Sequence, residues 1–479
     1  MGKKLADLHF TNRLYKAAPF LYAQVSPTPL TSPHLLHTNL SVLNQIGLDD
    51  SIIENPSFLR FINGDLDFEG LFFGASFYSG HQFGQYVPRL GDGRAITIAE
   101  IKNDSNNFIE LQLKGSGLTP FSRMGDGKAV VRSSIREYLA SAHLKALGIP
   151  TTEALSIITG SDDVYREHVE KSSIVLRTAT SFLRFGHYQY FAHTNQLEEL
   201  KTLVDFTIES YFPDYHQHPN SYVLFLQDVV KRTAGLFAHW QSVGFCHGVL
   251  NTDNMSILGL TLDYGPYGFI NEFDQDYVCN HSDHEGRYSL GNQPSIGYWN
   301  LQMLGIALES LIPVADLKRT LESYPQLFLV QYRKLLMDKC GLYKLQNTDE
   351  EFLRTMLNML VFTKLDYTQF FRALSRYATG SRELSTLTMS EALSTWLGAY
   401  DERLKLEDMS ECERHLKMLS VNPKFILRNF VAQMCIDDPS KISHYFDILT
   451  NPFEEWPESD ELSKPAPEKF RNLSVSCSS

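Results

Sequence analysis

The feature that most restricts how this chain can fold is a change of hydrophobic period between residues 95 and 147. AITIAEI (95–101) and FIELQLK (108–114) alternate apolar and polar residues, as a strand with one face on a core does, and NDSNN between them supplies a turn. The spacing predicts a β-hairpin ending on Lys114. From Ala129 to Leu147 the repeat lengthens: Val131, Ile135, Leu139, Ala142 and Ala146 fall three and four apart, one face of a helix that Gly148 and Pro150 stop. SSIVLR (172–177) reads as another strand, and YVLFLQDVVKRTAGLFAHWQSVGF (222–245) as a long amphipathic helix. Beyond about residue 295 the spacing of Leu, Met and aromatic residues is helical, through YWNLQMLGIALESLI, EFLRTMLNMLVF and EALSTWLGAYDERLK. Strands early and helices late make an α+β chain.

Length and charge narrow the function. At 479 residues the chain has room for two or three packed subregions of roughly 150 residues each. A net charge of -13 argues against nucleic acid as partner, because phosphate-binding proteins present a broad basic face. Six scattered cysteines with no C-x-x-C pair are expected to be reduced thiols. The N-terminus lacks the apolar run of a signal peptide, position 6 is Ala6 where myristoylation wants Ser or Thr, and no apolar stretch reaches 18 residues. The expectation is a cytoplasmic protein with no membrane partner.

Chemistry concentrates in HGVLNTDNMSILGLTLDYG (247–265). His247, Asn254 and Asp263-Tyr264-Gly265 have the order and spacing by which protein kinases arrange a catalytic loop and a metal-binding Asp-x-Gly, but Val249 stands where the catalytic Asp belongs. Upstream, Lys114 ends its strand and Glu137 lies in the following helix, so a carboxylate can brace an ammonium that reaches for phosphate. Asn254 and Asp263, nine residues apart and joined by the expected strand SILGLTL (256–262), are oxygen donors for one magnesium or manganese ion. His247 reads as a structural brace of the loop.

Two glycine loops flank the lysine, RLGDGR (89–94) and GSGLTPFSRMGDGK (115–128). Neither is a Walker loop or a G-x-G-x-x-G, yet both repeat GDG before a basic residue. In VLRTATSFLRFGHYQ (175–189), Arg177 and Arg184 are seven apart, one face if the segment is helical; phosphate binding and plain surface both stay open. Cys279, His281 and His284 lack standard zinc spacing, so no zinc site is expected there.

Together YSGHQFGQYVPRLGDGRA, the Lys114 hairpin with its helix, VLRTATSFLRFGHYQYF, CHGVLNTDNMSILGLTLDYGPYGFINEFD and the terminal VSCSS resemble the selenoprotein O family, bacterial YdiU proteins included, along essentially the whole chain. The resemblance implies an α+β, protein-kinase-like two-lobed fold. Its parts would be an N-terminal extension (1–95), a small lobe (96–180), a large lobe (181–310), an added helical C-terminal region (311–455) and a tail (456–479). It also implies a protein adenylyltransferase that binds ATP in reversed orientation and moves AMP to Ser, Thr or Tyr hydroxyls of target proteins, with Mg2+ or Mn2+ as cofactor. Residue by residue, Lys114 braced by Glu137 would contact phosphate. Gly91, Gly93, Arg94, Asp126, Gly127, Arg177, Arg184 and Asp263 would bind ATP, Asp253 would accept the proton, and Asn254 and Asp263 would hold the metal. Cys477 matches the family's terminal selenocysteine position, which raises redox gating with Cys279 as partner. Uridylyl transfer from UTP with manganese, conventional phosphoryl transfer and a silent nucleotide-binding scaffold remain the alternatives.

Overall fold

The computed structural model describes residues 4–378, 384, 387–470 and 473. Its strands are β1 (Phe10–Thr11), β2 (Tyr22–Gln24), β3 (His34–Thr38), β4 (Gly74–Ser76), β5 (Gly80–Gln82), β6 (Gln85–Val87), β7 (Ala95–Lys102), β8 (Phe108–Lys114), β9 (Ala129–Val130), β10 (Glu153–Tyr165), β11 (Val169–Ala179), β12 (Phe245–Cys246) and β13 (Gly268–Phe269). Among the described residues, nine of them form one antiparallel sheet in the order β2-β4-β7-β8-β11-β10-β3, with β1 added on β7 and β9 on β11. β5 with β6 and β12 with β13 are separate two-stranded pairs.

The hairpin is β7 and β8, joined at the NDSNN turn. Its apolar side chains, among them Ile96, Ile98, Leu111 and Leu113, pack on Leu43, Phe58 and Phe61 from the first 62 residues. Each such side chain, once buried, contributes about 1.5–3 kcal/mol. The alternation suggested half-buried strands, but β7 is covered along both faces for all but its last residue. The polar residues of the hairpin's other face meet other polar groups rather than water.

The helix after the hairpin runs Val131–Ala146, because Ala129 and Val130 pair with Ser173 and Ser172 of β11 instead of joining it. Ser221–Val243 is the long helix read from sequence. SILGLTL is not a strand: the chain turns at Gly259 (φ +69), and Met255 and Thr261 bridge across that turn. Its apolar run reflects burial of Ile257, Leu258 and Leu262, which is why the pattern imitates a strand.

From Gln293 onward the described chain is helical, with no strand. One apolar core there gathers Leu353, Met356, Phe370, Phe371, Trp396 and Tyr400. The last two α-helices among the described residues, Asn429–Asp437 and Ile442–Thr450, return to pack on the Val131–Ala146 helix. The His143 ring bonds Leu449 O at 2.9 Å, and Arg136 reaches Asn429 Oδ1 at 3.4 Å. The C-terminal region therefore buttresses the helix that carries Glu137. No described helix is long and apolar enough to cross a membrane.

Candidate active site

Sheet register builds the first half of the site. Val175 faces Lys114 and Arg177 faces Gln112, so Gln112, Lys114 and Arg177 project from one side of the sheet. The Val131–Ala146 helix lies over that side and supplies Glu137. Lys114 Nζ donates to Glu137 Oε2 at 2.5 Å, and Arg177 Nη1 donates to Glu137 Oε1 at 3.3 Å. Arg177 Nη2 also donates to the side-chain oxygen of Gln112, Oε1. Burial pulls the Lys114 ammonium below its usual range, against the pull of Glu137 and Asp263.

Arg177 and Arg184 do not share a helix face. Arg177 belongs to β11 and Arg184 is the N-cap of the Phe185–His193 helix, and from these two elements both reach one carboxylate. Asp263 receives Arg177 Nη1 at 2.6 Å and Lys114 Nζ at 3.3 Å on Oδ1, and Arg184 on Oδ2. Burial alone would raise the Asp263 carboxyl, but Arg184, Lys114 and Arg177 outweigh it and hold it well below the usual range. Its backbone is left-handed (φ +55), a conformation Asp tolerates better than most residues.

The loop before Asp263 supplies the other half. His247 is buried; its Nε2–H donates to Leu262 O at 2.9 Å and its amide to Gln293 Oε1 at 2.8 Å, so it braces the loop as expected. Val249 lines the cavity and offers no acceptor side chain. Asn254 Nδ2 donates to Val249 O at 2.9 Å, and its Oδ1 is not engaged among the described residues. Asp253 is buried, accepts from Gln82 Nε2 at 3.1 Å through Oδ2, and has no hydrogen-bond partner at Oδ1 among the described residues. Burial pushes its carboxyl up to about 6, opposed by the Gln82 hydrogen bond and by Arg184.

The glycine loops close the remaining side. Ser122 Oγ donates to Gly93 O at 2.5 Å and Thr119 Oγ1 to Asp92 O at 2.7 Å, tying the second loop to the first. Asp92 turns inward to the Ser76 amide (3.0 Å) and hydroxyl (2.6 Å). Asp126 is gripped by Arg166 at 2.8 and 2.9 Å, which holds its carboxyl below the usual range. Arg94 is exposed and has no ion pair among the described residues.

These elements enclose a cavity of about 690 Å³, within the range of small-molecule sites. Gly91, Gly93, Arg94, Lys114, Asp126, Gly127, Glu137, Arg177, Arg184, Asp253, Asn254 and Asp263 all line it. Seven cations (Arg94, Lys114, Arg123, Lys128, Arg166, Arg177, Arg184) face five carboxylates (Asp92, Asp126, Glu137, Asp253, Asp263), a positive surplus on a chain of net charge -13. Asn254 Oδ1 and the Asp263 carboxylate are hard oxygen donors of the kind Mg2+ and Mn2+ take. Among the described residues no three or more His, Cys, Asp or Glu side chains could hold a metal by themselves, so a cation here needs phosphate or water oxygens as well.

Cys279 is not part of this cavity. It is buried under the loop, with Sγ donating to Cys246 O at 3.4 Å, and burial pushes its thiol well up. Cys477 lies outside the described residues. Gln82 and Arg166 line the cavity but carry no linear signal; a Phe-Gly turn in GHQFGQY is the one hint of the hairpin that holds Gln82.

The family profile described as protein adenylyltransferase SelO matches residues 4–451. A protein nucleotidyltransferase YdiU of Stutzerimonas stutzeri (strain A1501) is 41% identical over 486 residues, covering 100% of both chains. Proteins of the same description from Enterobacter sp. (strain 638) and Myxococcus xanthus (strain DK1622) are each 41% identical, covering 98% and 99% of this chain and 100% and 99% of their own.

Proposed function

We propose how this chain, which belongs to the protein adenylyltransferase SelO family and is a nucleotidyltransferase, uses its cavity: it transfers AMP from ATP to Ser, Thr or Tyr hydroxyls of target proteins and releases pyrophosphate. The carrying observation is the state of the five carboxylates in the cavity. Asp126, Glu137 and Asp263 are ion-paired, whereas among the described residues Asp92 meets only the neutral Ser76 amide and hydroxyl, and Asp253 only the neutral Gln82 amide at Oδ2, its Oδ1 being buried. A general base must be free of ion pairing to take a proton; Asp253 and Asp92 meet that condition, and of the two it is Asp253 that stands beside Asn254 on the loop leading to Asp263.

ATP binds with its β and γ phosphates toward Lys114, Arg177 and Arg184, whose three charges supply the counter-field for the departing pyrophosphate. Arg94 and the backbone of the two glycine loops hold the outer part of the chain of phosphates. Asp253 takes the proton of the acceptor hydroxyl, whose oxygen forms a bond to the α-phosphorus as the α–β bridging P–O bond breaks. Glu137 keeps the Lys114 ammonium in place. Asn254 and Asp263 would hold Mg2+ or Mn2+, which when bound neutralises phosphate charge. The sheet with its Val131–Ala146 helix acts as the small lobe of a kinase-like pair, the Ser221–Val243 helix and the 247–265 loop as part of the large one, in the cytoplasm.

Intact and peptide mass spectrometry after incubation with ATP and Mg2+ or Mn2+ tests this, with Asp263→Ala beside the natural chain. AMP on Ser, Thr or Tyr, absent in the variant, is expected. Added phosphate would overturn the reading, and UMP formed only from UTP would reassign the donor.

A further inference from the structure

The hairpin β5–β6 is laid across the catalytic loop. Three consecutive residues of the hairpin meet three consecutive residues of the loop: His81 N donates to Thr252 Oγ1 at 2.7 Å, Gln82 Nε2 to Asp253 Oδ2 at 3.1 Å, and Phe83 N to Asn251 Oδ1 at 3.3 Å. The turn residues Phe83 (φ +50) and Gly84 (φ +82) are both left-handed, the pattern of the tight turn that matches strand twist, although Phe rarely takes this conformation. Tyr288 OH, which accepts the Phe83 amide at 2.9 Å and donates to Asn251 Oδ1 at 2.6 Å, fastens that strained turn to the loop. Strain of this kind persists where surrounding contacts impose it, and it collects at functional sites.

Within this contact one bond touches the base directly. Gln82 is the only side chain hydrogen-bonded to the Asp253 carboxylate among the described residues. Gly80 packs against the other oxygen so closely that a Cβ there would lie 2.6 Å from Oδ1. A carboxylate held by no ion pair would otherwise rotate among staggered positions.

We propose that Gln82 is a positioning residue for the transfer: its amide N–H fixes the Asp253 carboxylate in the orientation that meets the acceptor hydroxyl, with Gly80 closing the space into which it could turn. This rests on Asp253 being the base. Gln82 acts through Asp253 and does not hold the nucleotide, so its loss lowers turnover while leaving nucleotide affinity in place.

The test is a double-mutant cycle in the full chain with ATP and Mg2+. Gln82→Met keeps shape and removes the donor; Gln82→Leu is the second variant, and a thermal midpoint on each identifies any that fails to fold. Expected is a fall in kcat of about 10- to 100-fold, the scale of a misplaced reacting group, with KM for ATP and the Kd of a non-hydrolysable ATP analogue within about twofold of the natural values. In an Asp253→Asn background the same substitution should produce no further fall, because there is no base left to orient. Unchanged kcat, an equal fall in both backgrounds, or a change confined to KM overturns the role of Gln82. Full activity in Asp253→Asn alone overturns the base assignment instead, and the positioning role with it.

Discussion

Two clusters of buried charge in this molecule are built on opposite plans. In the helical region Arg403 is closed by carboxylates: Nε donates to Asp349 Oδ1 at 2.7 Å, Nη1 to Glu407 Oε1 at 2.9 Å, and Nη2 to Lys344 O at 2.6 Å. One cation there meets two acids, and every nitrogen of the guanidinium is engaged. In the cavity, Lys114, Arg177 and Arg184 share Asp263 and Glu137, and the Nε atoms of Arg177 and Arg184 are buried without a partner among the described residues. Burying charge is unfavourable unless it is paired, so a surplus of cations makes little sense for folding alone. The closed cluster is complete within the chain; the open one carries the surplus charge that the proposed binding of phosphate would take up.

The largest effect should come from upsetting the open cluster. Asp263→Asn is expected to reduce transfer by about 10³-fold or more, in line with loss of a preorganised electrostatic group, while the chain stays folded by circular dichroism. Arg403→Met should do the reverse. It leaves Asp349 and Glu407 uncompensated, so urea unfolding should show a loss of about 3–5 kcal/mol, with kcat unchanged wherever the protein is folded. If Arg403→Met instead lowered kcat in folded protein, the division between the clusters would fail.

A third variant probes the polar sheet face that leads into the site. Glu110 is buried, accepts the Phe182 amide at 3.1 Å, and burial pushes its carboxyl up to about 8. An acid whose folded value is raised contributes stability that is full below its ordinary value of 4.5 and is lost as pH rises through about 8. Glu110→Gln keeps the acceptor and removes the titration. Its unfolding free energy should therefore fall less than the natural chain's across that window, the difference being on the order of a few kcal/mol. Parallel pH curves for the two chains would contradict the burial assignment.

The smallest effect belongs to the rim. Arg166→Gln releases Asp126, an exposed pair of the sort worth about 0–1 kcal/mol, so KM for ATP should move no more than a few-fold and kcat not at all.

What the sequence revealed follows the same division. Periodicity located the Lys114 hairpin and the Glu137 helix because one face of each packs on an apolar core, and spacing placed Asn254 and Asp263. It failed at SILGLTL, where burial without pairing imitates a strand, and at Arg177 and Arg184, where seven residues that suit a helix face are split between β11 and the next helix. The glycine loops were legible as a repeated GDG before a basic residue, whereas Asp253 came from family resemblance rather than pattern. The roles of Gln82 and Arg166 were not legible because each acts on a carboxylate far off in sequence, 171 and 40 residues away. Contacts of that range are set by the tertiary fold and leave no local spacing to read.

The central claim is that the deep cationic cluster holds the far phosphates of ATP, which turns the α-phosphorus toward Asp253. A crystal structure with a non-hydrolysable ATP analogue and Mg2+ tests it most directly. The γ-phosphate is expected within hydrogen-bond distance of Arg177 or Arg184, with the α-phosphate on the Asp253 side. An adenine ring at the Arg177 end, with the γ-phosphate facing the loop, would contradict it.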